Sequence, residues 1–243
     1  MSAALLTLVF ALAALLHGIA GIGFPLVLTS VLSLQMGMKE AVVLTAIPIL
    51  LVNIISMVSG SAVKPVLQKY VLLAISSVIG SLIGVKLLLI VPSAWLQFVL
   101  ALLVGLYVVS AGRQMRFTIP DGRGITSFFG LLAGIVGGAT NAMSSVLMMY
   151  LLAKSHDKNE IAQAANLCFA LAKVVQIVLL WSQLQQLNHV GWVVPTCAAI
   201  VALLVGVWLR RWIPFQQFRW LSLTILAVLA SMMFYKSISS LIL

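Results

Sequence analysis

The sequence predicts an all-α polytopic membrane protein made of two inverted repeats. Each repeat is a glycine-broken, re-entrant hairpin-like helix followed by three transmembrane helices. Three observations predict this. Of 243 residues, 63% are hydrophobic and 7% charged, and mean hydropathy is +1.21. A soluble domain of that length needs a far more polar surface. Apolar runs long enough to cross a bilayer as helix, about 18 residues or more, recur from one end of the chain to the other. Two of these runs are interrupted midway by close-set glycines, and the two halves resemble each other.

In chain order, the first long stretch covers about 3–34 and breaks near Gly21-Ile-Gly23-Phe-Pro25. Spans follow at about 40–59, 70–90 and 95–112. The polar segment 113–124 divides the chain and is too short to be a domain. The second long stretch covers about 125–153 and breaks near Gly137-Gly138-Ala-Thr140-Asn141, with spans at about 160–181, 191–209 and 219–236. The expected organisation is a first transmembrane repeat at 1–112, a cytoplasmic linker at 113–124 and a second transmembrane repeat at 125–243. Three weak matches in the same order support the duplication. Gly18-Ile-Ala-Gly21 pairs with Gly134-Ile-Val-Gly137 at an offset of 116 residues. The segment from Glu40 pairs with that from Glu160 at 120, and Gly84-Val85 through Pro92 pairs with Gly206-Val207 through Pro214 at 122.

Charge decides how the broken stretches sit. If each crossed the bilayer once, the basic residues would divide seven to six between the two faces, which is no bias. If each is a hairpin returning to its own side, one face carries Lys64, Lys69, Arg113, Arg116, Arg123, Lys154, Lys158, Arg210, Arg211 and Arg219. The other keeps Lys39, Lys86 and Lys236. The positive-inside rule selects the second arrangement. A half-helix of about 11–14 residues also reaches only ~17–21 Å, short of a ~30 Å hydrocarbon core. A hairpin plus three spans is an odd number of crossings, so the second half is inverted and both termini face the periplasm.

Lys173 belongs to neither face. It lies mid-span, where a lysine costs at least ~2.5–3.5 kcal/mol unless something pairs it. The four acids, Glu40, Asp121, Asp157 and Glu160, sit at segment ends or in a loop, so an anionic substrate is the counter-ion the sequence points to. The alternatives are a snorkelling or a deprotonated lysine. Asn166 is seven residues before Lys173, on the same helix face. Thr45 and Asn53 occupy the matching span of the first half, Asn53 aligned with Lys173. Such polar residues either contact substrate or hydrogen-bond neighbouring helices. At each break the returning half-helix starts with free backbone N–H groups and the positive end of its dipole, a ready anion site. Gly21 and Gly23 form the first break; Gly137, Gly138, Thr140 and Asn141 form the second, with Ser144 and Ser145 adding donors. The glycines have a second reading, close helix packing. His17, just before the first break, is a candidate proton carrier or a hydrogen-bonded packing residue.

Several classes are disfavoured. The net charge of +10 reads as loop bias in a membrane protein rather than nucleic-acid binding. Cys168 and Cys197 sit in apolar segments as small buried hydrophobes, and the scattered His and acidic residues give no metal cluster and no cofactor site. No Walker motif and no serine-hydrolase setting around Ser144 are present, so the chain is expected not to be an enzyme. The apolar start has no basic n-region, so residues 3–16 are expected to be mature structure.

The glycine-rich break Gly18-Ile-Ala-Gly-Ile-Gly-Phe-Pro25, the Glu40-Ala-Val-Val-Leu-Thr45 start of the next span and the degenerate second copy resemble the TauE/SafE family of sulfite exporters. The resemblance implies a multi-pass protein of the bacterial inner membrane that exports small sulfur-containing anions, such as sulfite or organosulfonates, by a secondary mechanism. Asn166 and Lys173 rest on physics alone. A passive anion channel or a permease for another small organic anion shares the same charge logic. The oligomeric state, homodimer included, is left open.

Overall fold

A computed structural model describes residues 2–21, 23–59, 63–113, 118–186, 190–209, 212 and 215–242. Of the basic residues counted above, Arg116, Arg210 and Arg211 lie outside these, as does Pro214 of the third repeat match. The described chain is helical: α1 Ala3–Ala20, α2 Phe24–Met36, α3 Met38–Val58, α4 Val63–Ile90, α5 Ser93–Gly112, α6 Arg123–Thr140, α7 Met143–Lys154, α8 Lys158–Leu179, α9 Trp181–Gln186, α10 Val190–Leu209 and α11 Phe215–Ile242.

Seven of these are long and apolar enough to cross a membrane: α1, α3, α4, α5, α8, α10 and α11. Their exteriors are apolar, with Leu8, Ile75, Leu106, Val178 and Val201 all more than half exposed. The buried polar side chains point inward instead. Lipid as solvent explains this reversal, since outward apolar surface costs nothing there. Exposed Trp95, Trp181, Trp208, Trp212 and Trp220 cluster at helix ends, the interfacial position of amphipathic rings. The chain is a multi-pass membrane protein.

Two length expectations are corrected. The entering arms α1 and α6 are 18 residues each, not 11–14. They span about 27 Å at 1.5 Å per residue. The returning arms α2 and α7, at 13 and 12 residues, are the short ones. α4 begins seven residues before the expected 70, because exposed Lys64, Gln68 and Lys69 extend the helix beyond its apolar run, with Pro65 tolerated in the first turn. Cys168 is buried as expected, but Cys197 is exposed on α10.

The second break also sits later than expected. Gly137 and Gly138 stay inside α6, and the helix ends at Asn141. A Cβ on Gly138 would lie 2.6 Å from the Ser81 carbonyl oxygen, and one on Gly84 would lie 2.2 Å from that of Ile135. These glycines therefore serve the close crossing of α4 and α6 rather than the interruption. α1 and α10 make the equivalent crossing, where a Cβ on Gly18 would lie 2.4 Å from the Leu203 carbonyl oxygen and 2.9 Å from Gly206 Cα.

The helices pack in exchanged pairs. α6 packs on α4 as α1 packs on α10, while α3 packs on α8 and α5 on α11. α7 folds back along α6. Thr126 Oγ1 meets Tyr150 OH at 2.8 Å, the rings of Phe129 and Tyr150 lie 5.5 Å apart, and Lys154 Nζ bonds Asp121 at 2.5 Å. That ammonium holds the Asp121 carboxyl below the usual carboxylate range. α2 likewise leaves its tip folded back, with the Phe24 ring edge-on to Phe10 at 6.4 Å. α3 and α8 run antiparallel: Gln163 Nε2 donates to Met57 O (3.1 Å) at one end, and Thr45 and Lys173 converge on one residue at the other. α8 runs parallel to α4, joined by Lys69–Glu160 (2.5 Å) and Ser81 Oγ–Ala172 O (3.1 Å).

Candidate functional site

The residue on which Thr45 and Lys173 converge is Asn141. It ends α6 in the left-handed conformation, φ 62° and ψ 7°, which an L residue adopts at a cost and asparagine better than most. Gly21 ends α1 the same way, at φ 83°. A glycine would satisfy the backbone at 141 as it does at 21, so the asparagine side chain needs its own account.

That side chain is tied on every side. Its Nδ2 donates to Thr29 Oγ1 (2.8 Å) on α2 and Thr45 Oγ1 (3.1 Å) on α3. Its Oδ1 accepts from Lys173 Nζ, and from Gln176 Nε2 at 3.3 Å, both on α8. Lys173 Nζ also donates to Gln176 Oε1, while Gln176 Nε2 reaches Gly138 O at 2.9 Å. Four helices from both halves thus meet at one amide. Each member is buried, Lys173 to 5% exposure.

Lys173 Nζ is held by the neutral amide oxygens of Asn141 and Gln176. Among the described residues the ion pairs are Lys69–Glu160 and Lys154–Asp121, both at the end of the bundle where α4 starts. An ammonium has three donors, and Asn141 and Gln176 occupy two. Beside it lies a cavity of about 10 Å³, lined by Pro25, Ile49, Met143 and Phe169 as well as Lys173. That is room for about one water. The walls are apolar and the floor carries the Lys173 amino group, a polar group aimed into an otherwise apolar pocket.

A second cavity, of about 50 Å³, lies at the first tip. His17, Gly21, Ser56 and Asn166 line it. Asn166 Nδ2 donates to Gly21 O (3.0 Å) and Ala162 O (2.7 Å), tying α8 to the end of α1. His17 Nδ1 accepts from the Phe24 amide at 3.1 Å, and Nε2 meets Ser56 Oγ at 2.9 Å. Residues of α3 and α8 line both cavities.

Of the residues singled out from sequence, Thr45, Gly137, Asn141 and Lys173 come together at the smaller cavity, with Gly138 joined through Gln176. Gly21, Asn166 and His17 come together at the larger one. Gly23 precedes α2 at φ 116°. Asn53 is fully buried on α3, outside both linings, and neither amide atom has a partner. Thr140 turns back on its own helix, donating to Val136 O (2.8 Å) and accepting from the Ala142 amide (3.3 Å). Ser145 does likewise with Ala142 O. Three residues were missed: Gln176, Thr29 and Ser56. Gln176 stands three residues after Lys173 and Ser56 three after Asn53, so helical spacing marked both. Thr29 carried no such mark.

A family model described as sulfite exporter TauE/SafE matches residues 6–233. The chain belongs to the sulfite exporter TauE/SafE family. No curated protein and no solved structure matches it. Membership of the TauE/SafE family makes the chain a membrane transporter by family. It accords with the apolar exterior and with a buried polar centre at the tip of a broken helix.

Proposed function

We propose that this TauE/SafE protein is a secondary transporter that exports small sulfur-containing anions, such as sulfite or organosulfonates, across the bacterial inner membrane. The anion binds between the two hairpin tips, with Lys173 as its counter-ion and Asn141, Thr45 and the α7 N-terminus as hydrogen-bonding neighbours. The observation that carries this is Lys173: a buried mid-span lysine held by neutral oxygens where helices of both halves converge.

The architecture behind it is two inverted repeats, 1–112 and 125–243, joined by a cytoplasmic linker at 113–124. The exchanged packing of α1 with α10 and α4 with α6, and the antiparallel run of α3 against α8, support that reading. The lysine-rich end where α4 starts faces the cytoplasm, and both termini face the periplasm. Rocking of one half on the other opens the site alternately. The small cavity at Lys173, with room for about one water, favours such a carrier over a standing pore. An inside-negative potential drives anion export by ~2.3 kcal/mol per charge per 100 mV.

Binding of sulfite, thiosulfate, taurine-like sulfonates and carboxylates to the purified protein tests this, with Lys173→Met alongside. A lost charge-assisted hydrogen bond of ~1.5–3 kcal/mol weakens binding roughly 10- to 100-fold. If Lys173→Met binds sulfite as wild type does, the counter-ion role is wrong. If only neutral or cationic solutes bind, the anion reading falls.

A further inference from the structure

The smaller cavity is accounted for by the anion. The larger one, at the first tip, holds a titratable side chain that the transport scheme leaves unused. α2 begins Phe24-Pro25-Leu26 after Gly23, with no side-chain cap from Gly23. Pro25 has no N–H, and the Val27 amide returns to Gly23 O at 3.0 Å. The amides left at this N-terminus are those of Phe24 and Leu26, and the Phe24 amide is held by His17 Nδ1.

That bond fixes the state of the ring. A nitrogen that accepts carries no proton, so the proton of neutral His17 is on Nε2 and donates to Ser56 Oγ. Protonating Nδ1 removes the lone pair that holds the Phe24 amide. The amide is then freed beside a new positive charge, at the positive end of a helix dipole. Neutral His17 caps the tip; charged His17 opens it as an anion site.

The cavity also suits water, which would carry the proton. Asn166 is fully buried, and its Oδ1 has no partner. Its orientation is fixed, because turning the amide would set that oxygen against the Gly21 and Ala162 carbonyls. A free acceptor in a cavity of about 50 Å³ is a place for an O–H group. Ser59 and Asn159 at the mouth extend it toward the lysine-rich end.

The lining from α3 is Ser56 and Ser59, that from α8 is Asn159, Ala162, Gln163 and Asn166, and that from α10 is Val207. α2 contributes the Phe24 ring, edge-on at 6.3 Å. Of the described ionisable groups elsewhere on these helices, Glu160 bonds Lys69 and Tyr70, Asp157 accepts from the Asn159 amide at the mouth, Lys173 bonds Asn141 and, on α11, Lys236 bonds Leu34 O. Lys39 and Glu40 lie at the opposite end of α3.

We propose that His17 couples protons to anions: a proton taken up from the first-tip cavity releases the α2 amide and creates a second site there for the same small oxyanion. This rests on the anion-transport reading and adds the coupling ion to it. Neutral His17 and a hydrated proton become imidazolium and water, with nothing else consumed.

The test uses methanesulfonate, an anion that does not itself titrate near neutral pH, bound to purified protein by calorimetry in buffers of differing ionisation enthalpy. Wild type is expected to bind more tightly as pH falls from about 8 to about 6, up to tenfold per unit, with close to one proton taken up per anion. His17→Asn keeps an acceptor for the Phe24 amide but cannot be protonated, and is expected to lose both the slope and the uptake. His156 and His189 remain in that variant, so they cannot supply the difference. Lys173→Met is expected to bind more weakly while keeping the slope. Wild-type binding that is independent of pH, or a wild-type slope retained in His17→Asn, overturns the coupling alone. A wild type that binds no anion overturns the transport reading beneath it.

Discussion

Substituting Asn141 separates its backbone role from its side-chain role. The residue sits at φ 62°, ψ 7°. An alanine there meets the left-handed penalty of ~1–2 kcal/mol, which a glycine escapes. In a helix interior the order is reversed, glycine being worse than alanine by ~1 kcal/mol. Asn141→Ala is therefore expected to be less stable than Asn141→Gly, by about 2–8 °C in melting temperature at ~2–4 °C per kcal/mol. Both variants lose the bonds to Thr29 and Thr45, worth ~1 kcal/mol each, and the charge-assisted bond from Lys173 at ~1.5–3 kcal/mol. Asn141→Asp keeps the Oδ1 acceptor and gives Lys173 a built-in carboxylate. It is expected to fold and to lose sulfite binding, because the ammonium no longer needs an external anion. Thermal unfolding in detergent and sulfite titration read these outcomes. Asn141→Ala melting at or above Asn141→Gly refutes the backbone argument, and Asn141→Asp binding sulfite like wild type refutes the counter-ion argument.

Three further outcomes follow from the packing. Gly84→Ala places a Cβ 2.2 Å from a backbone oxygen and should destabilise by ~1–3 kcal/mol or more. Gly105→Ala meets nothing within 4 Å and should gain ~0.5–1 kcal/mol; equal melting temperatures for the two would undo the crossing argument. Asn53→Leu removes a buried amide with no partner and should stabilise by ~1–3 kcal/mol while slowing sulfite efflux, and a stabilised variant with undiminished efflux would take Asn53 out of the pathway. A reporter active only in the periplasm, fused after Leu243, should be active; activity confined to a cytoplasmic reporter would reverse the orientation.

Much of this centre was legible in the chain, and the reasons differ residue by residue. Lys173 stood out because an ionisable side chain in hydrocarbon is costly anywhere it occurs. Its partners were less visible. Gln176 shares its face at helical spacing, but a glutamine in a span has no such cost attached to single it out. Thr29 lies 112 residues from Asn141 and reaches it only because α2 of one half folds under the tip of the other. The glycines misled for a different reason. Periodicity cannot tell a glycine that ends a helix from one that lets another backbone approach. The four-residue spacing of Gly80 and Gly84, and of Gly130, Gly134 and Gly138, was the sign of a crossing.

The two tips also explain why the duplicated halves differ in chemistry while agreeing in shape. At an offset of 120, Gly21 faces Asn141, Asn53 faces Lys173 and Ser56 faces Gln176. The backbone turn needs only a left-handed residue, and the first half meets that need with glycine alone. The second half adds an amide that fastens a lysine, so its tip is rich in donors. At the first tip Asn166 of α8 keeps a free acceptor oxygen, while Asn53 of α3 is unpaired outside both cavity linings. Unpaired buried amides cost stability, and nothing in the packing here offsets that cost. The divergence therefore sets an amide that fastens a lysine and an amide with a free acceptor at two positions along one antiparallel helix pair, α3 and α8.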